Sequence, residues 1–215
     1  IRNCDWSSDV CSSDLVKSLS AIRHLFEKLT EDKLIGQDYE YCGKIYILNG
    51  MDSLGVDMLR KAYLMDQSRC DLLSDIWKSY DKLKKYAEAA KVMKEKIDNC
   101  KGITVTDYFN LGRSLFFSTD YVSADSAFGK VNELSPKYAS GFLWRAKTNA
   151  FIDSTSKGGL AKPHYEKYIE VALSDTSNPT KYRSGLLEAY HYLASYYYIQ
   201  VHDRSEEHTA ELQSQ

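Results

Sequence analysis

Apolar residues along the chain recur at intervals of three and four, which is the spacing of amphipathic α-helices. Only 3 prolines and 11 glycines occur among 215 residues, so helices joined by short turns are favoured over a fold with many turns. Asn178 and Pro179 favour the start of the last helix, because Asn caps a helix and Pro suits its first turn. The pattern predicts ten helices, at 16–30, 36–49, 52–65, 70–83, 86–99, 105–118, 121–134, 138–152, 160–174 and 179–201.

The predicted helices belong to a repeat of about 34 residues, which is the length of a helical hairpin in a solenoid. The unit from Tyr108 to Pro136 shows the pattern best, and a three-residue insertion is expected within 154–159 of a later unit. Small residues recur where two helices must approach closely: Gly43, Gly112 and Ala146 in the first helices, and Gly55, Ala89, Ala124 and Ala161 in the second. Large residues fill the space between them: Tyr46, Tyr80, Leu115, Leu59, Met93 and Phe128.

These slots resemble the tetratricopeptide repeat (TPR), which has an aromatic residue or Leu, then Leu-Gly, an aromatic residue, Ala, an aromatic residue and Pro. The resemblance implies an all-α fold, namely an α-α superhelix that is a right-handed solenoid of helical hairpins. Trp77 replaces the small residue of its unit, and only Pro136 fills the proline slot. The units are predicted at 36–69, 70–104, 105–138 and 139–176, with partial units at 16–35 and 177–203. Ala21 and Leu25 continue the pattern backwards as the second helix of a partial unit, and Tyr190, Leu193, Ala194 and Tyr197 continue it forwards as the first helix of another.

Both ends of the chain differ in character from the repeat. Residues 4–15 and 204–214 resemble translated short-read sequencing adapters, one for each orientation, with Ala210 as a departure from the usual translation. We therefore expect 1–15 and 204–215 to lie outside the fold, and 16–203 to be a fragment of a longer protein. Cys4, Cys11, Trp6 and His208 are thereby excluded as functional candidates.

Charge and motifs argue against several classes of function. The net charge is −2, and 16–203 holds 26 basic and 24 acidic residues, so no nucleic-acid partner is predicted. There is no apolar run of membrane-spanning length. Residues 1–15 contain no apolar stretch, so we expect no signal peptide within them. The sequence has no zinc-protease, hydrolase, Walker or dinucleotide motif, and its histidines are expected to lie on the surface. We predict no catalytic residue, metal or cofactor, and therefore no enzyme.

Three cysteines remain within the repeat region: Cys42, Cys70 and Cys100. Cys42 occupies a core slot and is expected to act as a small hydrophobic residue. Because the three are scattered and odd in number, no disulfide framework is predicted. A bond between Cys70 and Cys100 is the one pairing considered, and it is disfavoured.

The resemblance also implies where a ligand would bind. In the family, the second, fifth, ninth and twelfth positions of each first helix point into the concave groove. The ninth position reads Lys44, Lys78, Arg113 and Lys147, and Phe109, Phe116 and Leu143 add an apolar patch at fifth and twelfth positions. Lys and Arg could hold carboxylates while the apolar patch takes a side chain. The chaperone-type carboxylate clamp has a Lys and Asn pair in one unit, then Asn, then Lys and Arg. It is disfavoured, because the matching slots here hold Glu40 with Lys44, then Asp75, then Thr106 with Asn110.

The sequence thus predicts a non-catalytic scaffold that binds a protein or peptide, the expected peptide being extended and acidic. Two alternatives stay open. The basic residues could be a solvated surface of a spacer or self-assembly array, or the array could be the sensor portion of a larger protein. No compartment is predicted.

Overall fold

Helices form at nearly every position that the hydrophobic periodicity predicts. The computed structural model describes residues 12–175 and 180–213, and within them there are α-helices, one short 3₁₀ turn at Glu31–Lys33 and no strand. The all-α class is confirmed. The helices are α1 (Ser12–Lys28), α2 (Gly36–Leu48), α3 (Asp52–Met65), α4 (Cys70–Lys82), α5 (Tyr86–Asn99), α6 (Val105–Phe117), α7 (Tyr121–Leu134), α8 (Ala139–Ile152), α9 (Lys162–Ser174) and α10 (Arg183–Gln213).

The ends differ from the predicted boundaries. Helix α1 begins at Ser12 and α10 continues to Gln213, so both include part of the adapter-like segments. Residues 1–11 and 214–215, and the start signal at Asn178 and Pro179, lie outside the described residues. The adapter origin of the two ends stays a prediction.

Successive helices pack as antiparallel hairpins: α2 with α3, α4 with α5, α6 with α7, and α8 with α9. The first three hairpins share a three-residue turn whose middle residue has a positive φ, namely Gly50, Lys84 or Thr119. The fourth hairpin has a longer connection, from 153 to 161, which contains the predicted insertion. The repeat therefore corresponds to one hairpin per unit, as the spacing predicts.

The chain divides into two compact units, 1–103 and 104–215. In the first, which we call unit 1, Leu59, Leu72, Leu73 and Ile76 are fully buried between α2 and α5. In the second, unit 2, Phe128 and Val131 are fully buried in α7, and Tyr165, Tyr168 and Ala189 form a core where α8, α9 and α10 meet.

Glycine allows the closest contacts within the hairpins. A Cβ atom on Gly43 would lie 2.9 Å from the carbonyl oxygen of Gly55, and one on Gly55 would lie 2.8 Å from that of Gly43. A Cβ on Gly112 would lie 2.7 Å from the ring of Phe128, which is fully buried. The prediction that small residues mark helix crossings is confirmed at these positions.

The residues that continue the repeat pattern in the two terminal helices differ in burial. In α10, Tyr190, Ala194 and Tyr197 are exposed, whereas Leu193 packs against the core of unit 2. In α1, Ala21 is exposed and Leu25 is half-buried. The partial units at 16–35 and 177–203 stay a prediction.

The prediction that Cys70 and Cys100 stay unpaired is also wrong. They form a disulfide across a sequence separation of 30, with Cα atoms 6.0 Å apart. Cys70 begins α4 and Cys100 follows α5, and a hairpin brings those two ends together. Cysteines that are far apart in the sequence can therefore lie close together in the folded chain. Cys42 is free and buried, as predicted, and burial raises the pKa of its thiol to about 11.

Candidate functional site

Two of the four predicted basic residues, Lys44 and Lys78, lie on one pocket of unit 1. Lys44 is on α2 and Lys78 is on α4, so the pocket forms between the first helices of two successive hairpins. Its volume is about 360 Å³. The residues that line it are Lys44, Ile47, Leu48, Asp52, Asp75, Lys78, Ser79 and Lys82. We call this space the unit 1 pocket.

The floor and the rim of the unit 1 pocket differ in chemistry. Ile47 and Leu48 supply aliphatic surface, and the Leu48 side chain remains 61% exposed. Lys78 and Lys82 project from one turn of α4, with side chains 66% and 60% exposed. An apolar group could pack on the floor while a charged group reaches the rim.

Each rim lysine has an acidic partner nearby. Lys78 Nζ donates to Asp75 Oδ1 at 3.0 Å, one turn earlier on the same helix. Lys82 Nζ lies 2.8 Å from Asp52 Oδ2 at the start of α3. Asp52 is almost fully buried, so this second pair fastens α4 to the preceding hairpin. The partner of Lys78 is more exposed than that of Lys82, with 32% of the Asp75 side chain exposed against 5% of Asp52, so Lys78 is more easily shared with a ligand.

Lys44 belongs to a tighter network centred on Glu40. Lys44 Nζ donates to Glu40 Oε1 at 2.6 Å, and Arg69 Nη2 donates to the same oxygen at 3.0 Å. Arg69 also donates to Asp71, through Nε at 3.0 Å and Nη2 at 2.8 Å. Glu40 is only 7% exposed. The hydrogen bonds from Arg69 and Lys44 lower the pKa of its carboxyl, and the bond to Glu40 raises the pKa of Lys44.

The other two predicted basic residues lie in unit 2. Lys147 on α8 makes an ion pair with Glu188 on α10 at 3.0 Å, and its Nζ lies 5.5 Å from the ring centre of Trp144. Arg113 on α6 is half-buried. A separate pocket of about 560 Å³ in unit 2 is lined by Glu188, Tyr165 and their neighbours, and neither Arg113 nor Lys147 lines it.

The three residues of the predicted apolar patch pack against other residues of unit 2. Phe109 meets Phe128 edge-to-face at 5.8 Å, and Phe116 meets Trp144 edge-to-face at 5.4 Å. Leu143 packs against the core formed by α8, α9 and α10. All three are half-buried, so the surface they offer to a ligand is limited.

No group of three metal-ligating side chains occurs among the residues that the structure describes, and none of the helices they form is long and apolar enough to cross a membrane. His164, expected on the surface, is half-buried. Burial lowers its pKa, and the positive charge of Arg145 acts in the same direction while Asp125 opposes it.

Sequence reasoning missed several residues of the unit 1 pocket. Lys82, Asp52 and Leu48 line the pocket, but none of them occupies a groove position of the repeat. Arg69 does not line the pocket and is linked to it through Glu40 and Lys44. A comparison of helix ends between successive repeats is the signal that would have found Asp52 and Lys82, since both lie next to hairpin turns.

Solved structures similar to this chain include two TPR proteins. The C-terminal part of a TPR repeat-containing protein from Cytophaga hutchinsonii is 36% identical, with a TM-score of 0.69 over 89% of this chain and 74% of that one. YrrB, a TPR protein with an unusual peptide-binding site, is 21% identical, with a TM-score of 0.57 over 74% of this chain and 80% of its own. MamA is 16% identical, with a TM-score of 0.57 over 76% and 92%. No protein-family model and no curated protein sequence matches the chain.

Proposed function

The chain belongs to the tetratricopeptide-repeat proteins, and from that premise we propose that it is a non-catalytic scaffold whose unit 1 pocket binds an extended, acidic peptide. The fold supports a protein–protein interaction scaffold in general terms. The observation that favours peptide binding is the pocket between α2 and α4, where Lys44 and Lys78 share one rim above an aliphatic floor.

An extended peptide matches this arrangement in spacing. Alternate side chains of an extended chain point the same way, about 6.6 Å apart at a rise of about 3.3 Å per residue. A segment of the form Glu-x-Leu-x-Glu therefore presents one apolar side chain between two carboxylates. The Leu would pack on Ile47 and Leu48 while a carboxylate reaches Lys78.

The existing ion pairs do not prevent Lys78 from binding a carboxylate of the peptide. An exposed ion pair such as Lys78 with Asp75 stabilises the fold by only about 0–1 kcal/mol, so sharing Lys78 with a ligand costs little. Lys44 is less available, because Glu40 is buried and depends on its partners. Lys78 is therefore the principal contact in this proposal, and Lys44 a secondary one.

The remaining predicted groove residues form a separate element of the proposal. Arg113 and Lys147 would bind a further acidic stretch on unit 2, with Phe109, Phe116 and Leu143 as apolar neighbours. Lys147 is already paired with Glu188, so we expect this second surface to contribute less than the unit 1 pocket. Variants in the two units test the two surfaces independently.

The test compares Lys78→Glu with Lys91→Glu, a matched charge reversal at an exposed lysine of α5 that does not line the pocket. Affinity for a fluorescein-labelled peptide with the core Glu-Ser-Leu-Ser-Glu is measured by anisotropy, with Lys-Ser-Leu-Ser-Lys as the charge-inverted control. We expect Lys78→Glu to weaken binding about tenfold, equivalent to about 1.4 kcal/mol, and Lys91→Glu to change it little.

Binding of the acidic peptide should also weaken as salt is raised, because exposed charges are screened. Equal losses in the two variants, or equal affinity for the acidic and basic peptides, would contradict the proposal. If the acidic peptide does not bind, and the chain instead self-associates in light scattering, the spacer alternative is favoured.

A further inference from the structure

The Cys70–Cys100 disulfide lies beside the network that leads to the unit 1 pocket. Arg69, which donates to the buried Glu40, is the residue immediately before Cys70. Glu40 in turn accepts a hydrogen bond from Lys44 at 2.6 Å, and Lys44 lines the pocket. An unbroken series of contacts therefore joins the disulfide to the pocket rim.

The disulfide lies at the start of α4. Arg69 is the N-cap residue of this helix, and no side chain makes a capping hydrogen bond there. The backbone N–H groups of Cys70 and Leu72 donate only to nearby carbonyl oxygens, those of Ser68 at 2.9 Å and Arg69 at 3.1 Å. The bond to Cys100, which follows α5, holds this end in place. Leu72 and Leu73 are buried and keep the rest of the first turn packed, so any loosening is confined to 69–71.

We propose that the Cys70–Cys100 disulfide is a redox-dependent positioning element: when oxidised it holds Arg69 on Glu40 and leaves Lys44 able to bind the peptide. This inference rests on the proposed function for its readout. Oxidation removes two electrons and two protons from the two thiols, and a small disulfide such as oxidised glutathione accepts both as it becomes two thiols. Reduction by a dithiol reverses the step.

The consequence for the pocket follows from the charge on Glu40. When Arg69 moves away, Glu40 keeps a buried negative charge with Lys44 as its remaining partner in the network. A buried carboxylate holds such a partner strongly, so Lys44 becomes less available to a ligand. We expect the reduced protein to bind the acidic peptide up to about fivefold more weakly, the range that an ion pair of intermediate exposure contributes.

The experiment uses the full chain in three forms: oxidised, reduced with a phosphine, and Cys70→Ser/Cys100→Ser. Mass spectrometry of unreduced tryptic fragments first tests for a linked Cys70–Cys100 peptide. This test does not depend on the state of the other cysteines. Anisotropy with the Glu-Ser-Leu-Ser-Glu peptide then compares affinities. The double variant should bind like the reduced protein and should not respond to the phosphine.

Arg69→Gln separates positioning from a purely structural role. It keeps the disulfide but removes the positive charge and shortens the side chain that reaches Glu40, so we expect it to bind like the reduced protein and to lose its response to reduction. A retained redox response in Arg69→Gln would overturn the proposed route, and absence of the linked fragment after treatment with oxidised glutathione would overturn the disulfide itself.

Failure of the proposed function is recognised separately. If neither redox state binds the peptide, the pocket is not a peptide site, and hydrogen exchange of 37–44 in the two states still tests the coupling. Faster exchange there after reduction supports the link from the disulfide to Glu40 and Lys44. Equal exchange in both states contradicts it.

Discussion

Substituting Gly43 by alanine tests how closely the two helices of a hairpin must approach. Gly43 on α2 faces Gly55 on α3, and an added Cβ would lie 2.9 Å from the Gly55 carbonyl oxygen and 2.8 Å from Leu59 Cγ. Ordinary van der Waals contact begins at 3.4 Å. The carbonyl is part of the backbone and Leu59 is fully buried, so the helices themselves have to move apart.

The expected magnitude combines two opposing effects. Alanine favours the helix over glycine by about 1 kcal/mol. Overpacking a rigid contact costs about 1–3 kcal/mol, and the upper end applies because a backbone atom opposes the new methyl group. The free energy of unfolding should therefore fall by about 2 kcal/mol, which corresponds to a Tm lower by roughly 4–8 °C for a chain of this size.

Gly36→Ala is the matched control, since it makes the same chemical change in the same helix. A Cβ at Gly36 would have its nearest neighbours at 3.6 Å, which is ordinary contact. We expect its Tm to stay the same or rise slightly. Circular dichroism gives the two Tm values, and hydrogen exchange of 36–65 shows whether the loss in Gly43→Ala is localised to this hairpin. If both variants shift Tm equally and in the same direction, close helix approach does not determine the stability of this hairpin.

Three further outcomes are expected. Phe128→Ala removes a fully buried ring that stacks on Trp144 at 5.9 Å, and should lower the free energy of unfolding by about 3–5 kcal/mol, measured by urea titration of Trp fluorescence. Cys70→Ser/Cys100→Ser should lower the free energy of unfolding by about 3–4 kcal/mol, because a crosslink spanning 30 residues restricts the unfolded chain. An unchanged urea midpoint would contradict this stabilising effect of the disulfide. Arg69 and Lys44 lower the pKa of Glu40 in the folded protein. Its contribution to the free energy of unfolding is therefore present above the ordinary pKa of 4.5 and is lost as the pH falls through the lower folded value. Glu40→Gln should lose less stability than the wild type between neutral and acidic pH.

The repeat itself could be predicted from the sequence because its signals are local and redundant. Small residues such as Gly43 and Gly112 recur in register with large ones such as Phe128, and each instance supports the others. The boundaries of α3, α5 and α7 agree with the predicted ones for this reason. Helix α10 has less redundancy, because among the residues that continue the pattern there Leu193 packs against the core while Tyr190 and Tyr197 are exposed.

The contacts around the candidate site could not be predicted in this way. The partners of Lys44 and Lys78 depend on side-chain directions and not on the repeat register. The disulfide depends on the start of α4 meeting the end of α5, which is a property of the hairpin in space. Arg69 belongs to neither helix, and only its reach to Glu40 relates it to the pocket.

The central claim, that the unit 1 pocket is the ligand site, is tested most directly by NMR. Amide shifts of the ¹⁵N-labelled, oxidised chain are followed during titration with the Glu-Ser-Leu-Ser-Glu peptide. The account predicts saturable shifts along the pocket faces of α2 and α4, at Ile47, Leu48, Lys78 and Ser79, with α5 unaffected. Shifts confined to other helices, or no saturable shift at all, would contradict it.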